Sequence, residues 1–274
     1  MSLPMPRLEG AEHAFYDLPT GVRVHVAAHG PPGAPAVLAL HGWPQHWWSW
    51  REVIGELGDE FRVLCPDMRG FGWSGWPQDG DFAKQRVADD AIALLDLLGL
   101  ERVCLVGHDW GGWAAILAAL AAPERFSGLL VLSVGHPWVP RALAMRNAHR
   151  LAYQLLLYLP EVTRHGGAPR KALEAARRDD AGWRPGEVDA YVSAVRRSAR
   201  ATGRLYRAFP REATQRHADR LEMPARLMLG YREPLGRYVA ANFKGEVEIV
   251  DGAGHFLPEE RPALVAQRIR ELCG

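Results

Sequence analysis

The chain has 274 residues, of which 48% are hydrophobic and 24% are charged. This composition is ordinary for a globular protein and excludes a disordered chain, a fibrous repeat and a small disulfide scaffold. The formal net charge is +1, which gives no reason to expect nucleic acid or an anionic membrane as a partner. No apolar run approaches the ~18 residues of a membrane span. We expect neither a signal peptide nor a transmembrane segment.

The three cysteines, Cys65, Cys104 and Cys273, show no metal-binding spacing. Cys65 and Cys104 fall in apolar runs, where a small buried thiol is the usual role of cysteine. We therefore expect free thiols, a reducing compartment and a cytoplasmic location.

Short apolar runs bounded by glycine and proline alternate with amphipathic helical patterns along most of the chain. The runs predict buried parallel strands at residues 22–28, 36–40, 61–65, 102–106, 128–133, 225–229 and 246–250. Helices are predicted between or after them at residues 87–98, 113–122 and 262–272. This alternation predicts an α/β fold in which crossover helices cover both faces of the sheet.

Residues 137–220 break this alternation, because they carry four helical patterns and no strand-like run. The predicted helices cover residues 141–159, 169–180, 185–200 and 202–209. We interpret the segment as a helical insertion that divides the core into residues 1–136 and 221–274. The insertion has a net charge of +9 and the remainder −8. We interpret the excess arginine as solvated helix faces and pairs to the acidic core rather than as a site for an anionic partner, because stacking aromatic residues do not alternate with it.

The hexapeptide at residues 107–112, Gly-His-Asp-Trp-Gly-Gly, follows a predicted strand and opens a predicted helix. Small residues at both flanks permit the tight turn of a nucleophile elbow, whose central residue is usually Ser and here is Asp109. The alternative is that Asp109 only caps the helix, which is a common role of Asp at a helix start.

Two further loops follow strand-like runs. The loop at residues 41–44, His-Gly-Trp-Pro, can turn the N–H of Trp43 toward the elbow, where it would form an oxyanion hole with the N–H of Trp110. The alternative is an ordinary turn. His255 stands in a glycine-rich loop after the last run, in the chain order expected of a triad histidine, and the alternative is a solvated loop residue.

These segments resemble the α/β-hydrolase fold, and within it the branch of epoxide hydrolases and haloalkane dehalogenases that use an aspartate nucleophile. The resemblance covers nearly the whole chain and includes residues 67–74, Asp-Met-Arg-Gly-Phe-Gly-Trp-Ser, and residues 254–256, Gly-His-Phe. It is closest to the epoxide hydrolases. It implies a mostly parallel eight-stranded sheet flanked by helices, with residues 137–220 as an all-helical cap.

The resemblance also implies a triad acid after the run at residues 225–229. Glu233 stands where the family usually has Asp, and it precedes His255 by only 22 residues. Asp109, ionised at neutral pH, would attack a saturated carbon and form an ester. His255, oriented by Glu233, would then activate water to hydrolyse that ester. Neither a metal nor an organic cofactor is expected.

Two tyrosines match the family's cap tyrosines, and the resemblance implies that Tyr153 and Tyr206 donate hydrogen bonds to the opening epoxide oxygen. A phenol is neutral at pH 7 and can donate in this way, although either ring could simply pack within the cap. The residues expected to contact substrate are His41, Trp43, Trp110, Trp138 and Phe256.

We therefore predict an epoxide hydrolase that uses a small apolar epoxide and water and acts as a monomer or homodimer. A haloalkane dehalogenase with the same triad is the first alternative, because indole N–H groups of Trp110 and of Trp43, Trp138 or Trp183 could hold a halide. The second alternative is a non-catalytic scaffold, since a fold alone does not establish an activity.

Overall fold

The computed structural model describes residues 4–138, 142, 156–177, 183–212, 220–231, 233 and 236–274. Its strands, labelled β1 to β8 in chain order, are Glu12–Leu18, Val22–His29, Ala36–Leu40, Arg62–Pro66, Val103–His108, Phe126–Leu132, Ala225–Gly230 and Glu246–Val250. The described helices, labelled α1 to α10 here, are Arg51–Leu57, Lys84–Leu97, Trp110–Ala121, Pro160–His165, Gly167–Ala176, Glu187–Arg197, Ala199–Glu212, Gly236–Ala240, Leu257–Glu260 and Pro262–Cys273.

All eight strands form one sheet in the order β1-β2-β4-β3-β5-β6-β7-β8. The pairs from β4 through β8 are parallel, and β2 is antiparallel to both β1 and β4. Alternate residues of β3 face opposite sides, so Leu38 packs with α2 and α3, whereas Val37 packs with α1 and α10. The predicted α/β-hydrolase architecture, a mostly parallel eight-stranded sheet flanked by helices, is confirmed.

The edge strand β1 is not among the strands that the apolar runs predict. Its sequence, Glu-His-Ala-Phe-Tyr-Asp-Leu, is largely exposed and pairs with β2 through a hairpin in which Gly21 adopts a φ of 80°. An edge strand that buries few side chains needs few apolar residues, and hydrophobic pattern therefore marks it poorly.

Helices α4 to α7 lie along the chain between β6 and β7, which pair directly with one another. The described residues of segment 137–220 contain no strand, but the helix bounds differ from prediction. The helix predicted at 169–180 is α5, and those predicted at 185–200 and 202–209 are α6 and α7, divided at Ser198. Residues 157–159 are not helical, and most of the helix predicted at 141–159 lies outside the described residues.

Helix α7 continues to Glu212, beyond the predicted end at residue 209, although Pro210 lies inside it. A proline near a helix end removes one backbone hydrogen bond without preventing the last turn. No helix in the described part of the chain has the length and apolar character needed to cross a bilayer.

The prediction of a free thiol at Cys104 is wrong, because Cys104 forms a disulfide with Cys273 across 169 residues of sequence. The bond joins the start of β5 to the end of α10, a contact that exists only once that helix has packed on the sheet. Cys65 is a buried free cysteine, as predicted. The cysteines therefore give no support to a reducing compartment, and the cytoplasmic location stays a prediction.

Candidate active site

Asp109 occupies a sharp turn between the end of β5 and the start of α3. Its φ of 49° and ψ of −124° lie where non-glycine residues are rare. The neighbouring glycines make this turn possible, because a Cβ on Gly107 would lie 2.5 Å from the Gly111 carbonyl oxygen and one on Gly111 would lie 2.3 Å from the His41 carbonyl oxygen. The Asp109 side chain makes no capping hydrogen bond to α3. The turn thus has the strand–turn–helix geometry of an elbow rather than of a capped helix start.

One of the two N–H groups predicted for an oxyanion hole bonds the Asp109 carboxylate, because the N–H of Trp43 donates to Oδ2 at 2.9 Å. The backbone N–H of Trp110, the next residue, acts on this carboxylate by lowering its pKa. Gly42 permits the approach, since a Cβ there would lie 2.4 Å from the Asp109 Cβ. Burial raises the pKa of Asp109, while His255 and the two N–H groups oppose this rise. The site can therefore hold a negative charge on the carboxylate oxygens.

His255 and Glu233 complete a three-residue arrangement with Asp109. The Nδ1 of His255 lies 2.8 Å from a carboxylate oxygen of Glu233, and its Nε2 lies 3.8 Å from Asp109 Oδ1. Burial lowers the pKa of His255, but Glu233 and then Asp109 outweigh it and raise the pKa to about 9. The side chains of Asp109 and His255 remain 17% and 21% exposed, so both are open to a small molecule. The resemblance predicts Asp at position 233, and the longer side chain of Glu233 also reaches His255.

Two residues that the sequence analysis did not single out hold the His255 loop. Glu260 accepts hydrogen bonds from the backbone N–H groups of Gly254 at 2.6 Å and Phe256 at 3.4 Å. His108 donates from Nε2 to the His255 carbonyl oxygen at 2.9 Å, and burial holds its pKa well below the ordinary value. The position of His108 beside Asp109 in the hexapeptide could have indicated its role from the sequence. The role of Glu260 could not be predicted in this way, because its contacts depend on how the chain turns into α9.

Tyr206 on α7 lies against both tryptophans of the predicted oxyanion hole. Its ring meets Trp43 and Trp110 edge-on, with centroid distances of 5.6 and 5.4 Å, and the residue is 3% exposed. Trp43 also donates from Nε1 to the hydroxyl of Thr202, one turn earlier on α7, at 3.1 Å. The other predicted tyrosine, Tyr153, lies outside the described residues.

Three further residues that were predicted to contact substrate, His41, Phe256 and Trp138, lie in different surroundings. His41 is buried and bonds the Gly42 carbonyl through Nδ1 and the Met68 N–H through Nε2, so both ring nitrogens serve the loop. Phe256 is buried against His255. Trp138 packs beside His136 and Phe243, with ring centroids 5.3 and 6.0 Å away. Across the described residues, no group of three His, Cys, Asp or Glu side chains is arranged to hold a metal ion.

Replacing Glu233 with Gln should lower the pKa of His255 from about 9 toward its ordinary 6.5, because a neutral amide gives the imidazolium no opposite charge. The titration is measured by NMR of the imidazole carbon protons. The matched control is Glu246→Gln, which changes an exposed carboxylate on β8 paired with Arg226. A His255 pKa that stays near 9 in Glu233→Gln would show that Glu233 is not its partner in solution.

Comparison with known proteins gives matches over nearly the whole chain. The sequence pattern of the alpha/beta hydrolase fold matches residues 35–178. A soluble epoxide hydrolase of Corynebacterium sp. (strain C12) is 32% identical and the alignment covers 89% of this chain and 91% of the relative. Epoxide hydrolase A of Mycobacterium tuberculosis is 30% identical, with 92% and 94% covered. The solved structure of epoxide hydrolase CorEH without ligand has a TM-score of 0.79 at 26% identity, covering 96% of this chain and 98% of that one.

These matches agree with the fold and with the resemblance that the motifs predict. They extend across both the sheet and the inserted helices, so they are not confined to the elbow. The chain belongs to the α/β-hydrolase fold family, where it is similar to epoxide hydrolases, and it is a hydrolase.

Proposed function

We propose that this hydrolase opens a small apolar epoxide to a vicinal diol through a covalent ester on Asp109. The observation that carries the proposal is the Asp109 carboxylate, bonded by the N–H of Trp43 and faced by a histidine that is itself paired with Glu233. A carboxylate attacks saturated carbon, whereas a serine in the same elbow would attack a carbonyl.

In the first step an Asp109 oxygen attacks an epoxide carbon, the C–O bond of the ring breaks, and the ring oxygen gains a proton. Tyr206 is the described residue whose phenol suits this donation, because it lies over the two tryptophans that flank the nucleophile. Tyr153 remains its proposed companion from the sequence. The product of this step is a neutral ester of Asp109.

In the second step a water molecule gives a proton to His255 and attacks the ester carbonyl of Asp109. The developing oxyanion accepts the hydrogen bond that the N–H of Trp43 already donates to this carboxylate in the free protein, and the adjacent N–H of Trp110 is the proposed second donor. The Asp109 charge helps to hold the pKa of His255 at about 9, and ester formation removes this charge. The pKa of His255 then falls, its resting proton passes to the phenolate left on Tyr206, and a neutral imidazole becomes available as the base. Collapse of the oxyanion expels the diol oxygen as an alkoxide, which takes the proton of the new carboxylic acid, so that the diol leaves and the Asp109 carboxylate is restored.

We propose that residues 137–220 form the cap over this site and that residues 1–136 and 221–274 form the core. Ion pairs join the cap and the core. The cap has the net charge of +9 and the core −8, yet in some of these pairs the cation belongs to the core and the carboxylate to the cap. Arg184 pairs with Glu52 of the core at 2.6 Å, whereas Arg51 and Lys84 are core cations that pair with Glu187 and Glu212 of the cap, respectively. The basic excess of the cap therefore does not by itself account for these contacts.

The function is tested by assaying the wild-type protein with matched panels of epoxides and haloalkanes. We expect diol formation from epoxides without a requirement for added metal. Halide release with no diol would favour the haloalkane dehalogenase. Against that alternative, Trp43, one of the four indoles suggested for a halide, already donates its Nε1–H to Thr202. No turnover of either panel would favour a non-catalytic scaffold.

Replacing Tyr206 with Phe is expected to slow epoxide opening by about 10- to 100-fold, because the developing alkoxide loses a positioned donor. Hydrolysis of the ester should change little, since no proton passes through the tyrosine in that step. Rapid-quench kinetics separates the two rates. Replacement of the exposed Tyr231 by Phe is the control and should leave both unchanged. Equal rates of ester formation in Tyr206→Phe and wild type would remove Tyr206 from the proposed mechanism.

A further inference from the structure

Lys84 is a buried lysine of the core. Its side chain contacts α7, the helix that carries Tyr206. Lys84 is the first residue of α2 and has no exposed surface. Its ammonium donates to the Leu205 carbonyl oxygen at 2.7 Å and lies 2.9 Å from a carboxylate oxygen of Glu212. It also lies 4.3 Å from the centre of the Trp110 ring, within the range of a cation–π contact. The Lys84 side chain therefore contacts Leu205 within α7, Glu212 at the end of α7, and Trp110, which follows Asp109.

The contacts of Lys84 lie close to Tyr206 on α7. Leu205, whose carbonyl oxygen accepts the hydrogen bond of the Lys84 ammonium, immediately precedes Tyr206. Trp43 holds the same helix one turn earlier through Thr202. Two donors of the core, the indole of Trp43 and the ammonium of Lys84, therefore hold α7 at Thr202 and Leu205, and Lys84 also pairs with Glu212 beyond Tyr206.

Glu212 holds this ammonium in place and opposes the effect of burial on its pKa. One of its carboxylate oxygens pairs with Nζ and the other accepts the backbone N–H of Lys84, so the carboxylate closes the start of α2 onto the end of α7. Burial lowers the pKa of Lys84, while the charges of Glu212 and Asp109 oppose this shift. Removing one member alone would leave the other as an unpaired buried charge, which is strongly destabilising in proteins.

We propose that Lys84, held by Glu212, is a positioning residue that fixes Tyr206 over the nucleophile. The proposal rests on the function proposed above, because it gives Tyr206 the role of donor to the epoxide oxygen. Tyr206 belongs to the inserted helices and Asp109 to the core, so their relative position depends on contacts between the two parts. Lys84 supplies such a contact one residue from Tyr206 and, through the Trp110 ring, one residue from Asp109.

The test removes both buried charges together in the double variant K84M/E212Q. Met fills the volume of the lysine stem, and Gln keeps an acceptor for the backbone N–H of residue 84, so neither change leaves an unpaired charge. Glu212→Asp alone is the second variant in case the double variant does not fold, because it keeps both charges and shortens the side chain that holds the Lys84 ammonium. The control is Arg86→Met in the same turn of α2, whose guanidinium pairs at the surface with acidic side chains, namely Asp79, Asp81 and Asp89.

The first readout is the rate of ester formation on Asp109, measured by intact mass after rapid quench. We expect K84M/E212Q to slow it by about 10- to 100-fold, because a shift of about 1 Å at a reacting group can cost this much. The hydrolysis of the ester and the rates of Arg86→Met should stay within about threefold of wild type. In a Tyr206→Phe background the loss caused by K84M/E212Q should vanish, as expected of residues that act through one another.

A loss that persists fully in the Tyr206→Phe background, or no loss in the wild-type background, would overturn the proposal, and the same criterion applies to Glu212→Asp. A crystal structure of the variant provides a readout that needs no substrate. We expect the Tyr206 hydroxyl to move by about 1 Å or more relative to Asp109. An unmoved Tyr206 would overturn the positioning role even if the protein opens no epoxide. Failure of the wild type to form diols, with Tyr206 displaced in the variant, would instead overturn only the proposed function.

Discussion

Replacing His255 with Gln is expected to stop the reaction after a single chemical step, with an intact ester left on Asp109. Ester formation needs the Asp109 carboxylate and a donor to the epoxide oxygen, and neither comes from His255. Ester hydrolysis needs a base for the attacking water, and the Nε2 of His255 lies 3.8 Å from the Asp109 carboxylate. Loss of a positioned general base typically slows the step it serves by about 10²- to 10⁴-fold.

Intact-mass analysis of His255→Gln gives the decisive observation for this step. The mass should rise by that of one whole epoxide per chain, because ring opening expels no leaving group. A haloalkane would add only its alkyl portion. His165→Gln, the same change at an exposed position on α4, is the matched control and should turn over as wild type does. Sustained turnover by His255→Gln would show that another group activates the water.

The second large effect is expected from replacing Asp109 with Ala, which removes the nucleophile itself. Turnover should fall by about 10⁴-fold or more, since removal of a covalent nucleophile leaves only binding and electrostatic contributions. No ester should form even in a His255→Gln background. The reason is geometric, because Asp109 is the carboxylate at the elbow that the Trp43 N–H bonds and that His255 faces.

The matched control for Asp109→Ala is Asp89→Ala, which removes a partly exposed carboxylate of α2 that interacts with Gln85 and Arg86. It should leave ester formation and turnover unchanged. If Asp109→Ala retained substantial turnover, the chemistry would have to pass through a different nucleophile, such as water activated directly by His255.

The elbow and the parallel strands could be predicted because short-range chemistry marks them. The glycines at 107, 111 and 112 are needed wherever a strand turns sharply into a helix, and their spacing is visible in any sequence. The pairing of Glu233 with His255 was accessible through the family resemblance, and in the structure both residues follow neighbouring strands, β7 and β8, at the same edge of the sheet. These features depend on residues that are close in the chain or on the order of parallel strands.

Contacts that arise only on packing were not accessible from the sequence. The Cys104–Cys273 disulfide spans 169 residues and depends on where α10 docks. His41 looked like a substrate contact from its place in the loop, yet its ring is turned to support the backbone. Lys84 begins a helix as many surface lysines do, and its burial depends on an inserted helix more than a hundred residues later. Long-range burial of a charged side chain leaves no periodic signal.

The central claim is that the Asp109 carboxylate becomes an ester whose carbonyl carbon is attacked by water. Single-turnover hydrolysis in H₂¹⁸O, with enzyme in excess over epoxide, tests it directly, because the new oxygen must then enter the enzyme first. Peptide mass spectrometry is expected to find ¹⁸O in the side chain of Asp109 and none in the diol of the first turnover. Label found only in the diol, with Asp109 unlabelled, would contradict the ester mechanism and favour direct attack of water on the epoxide.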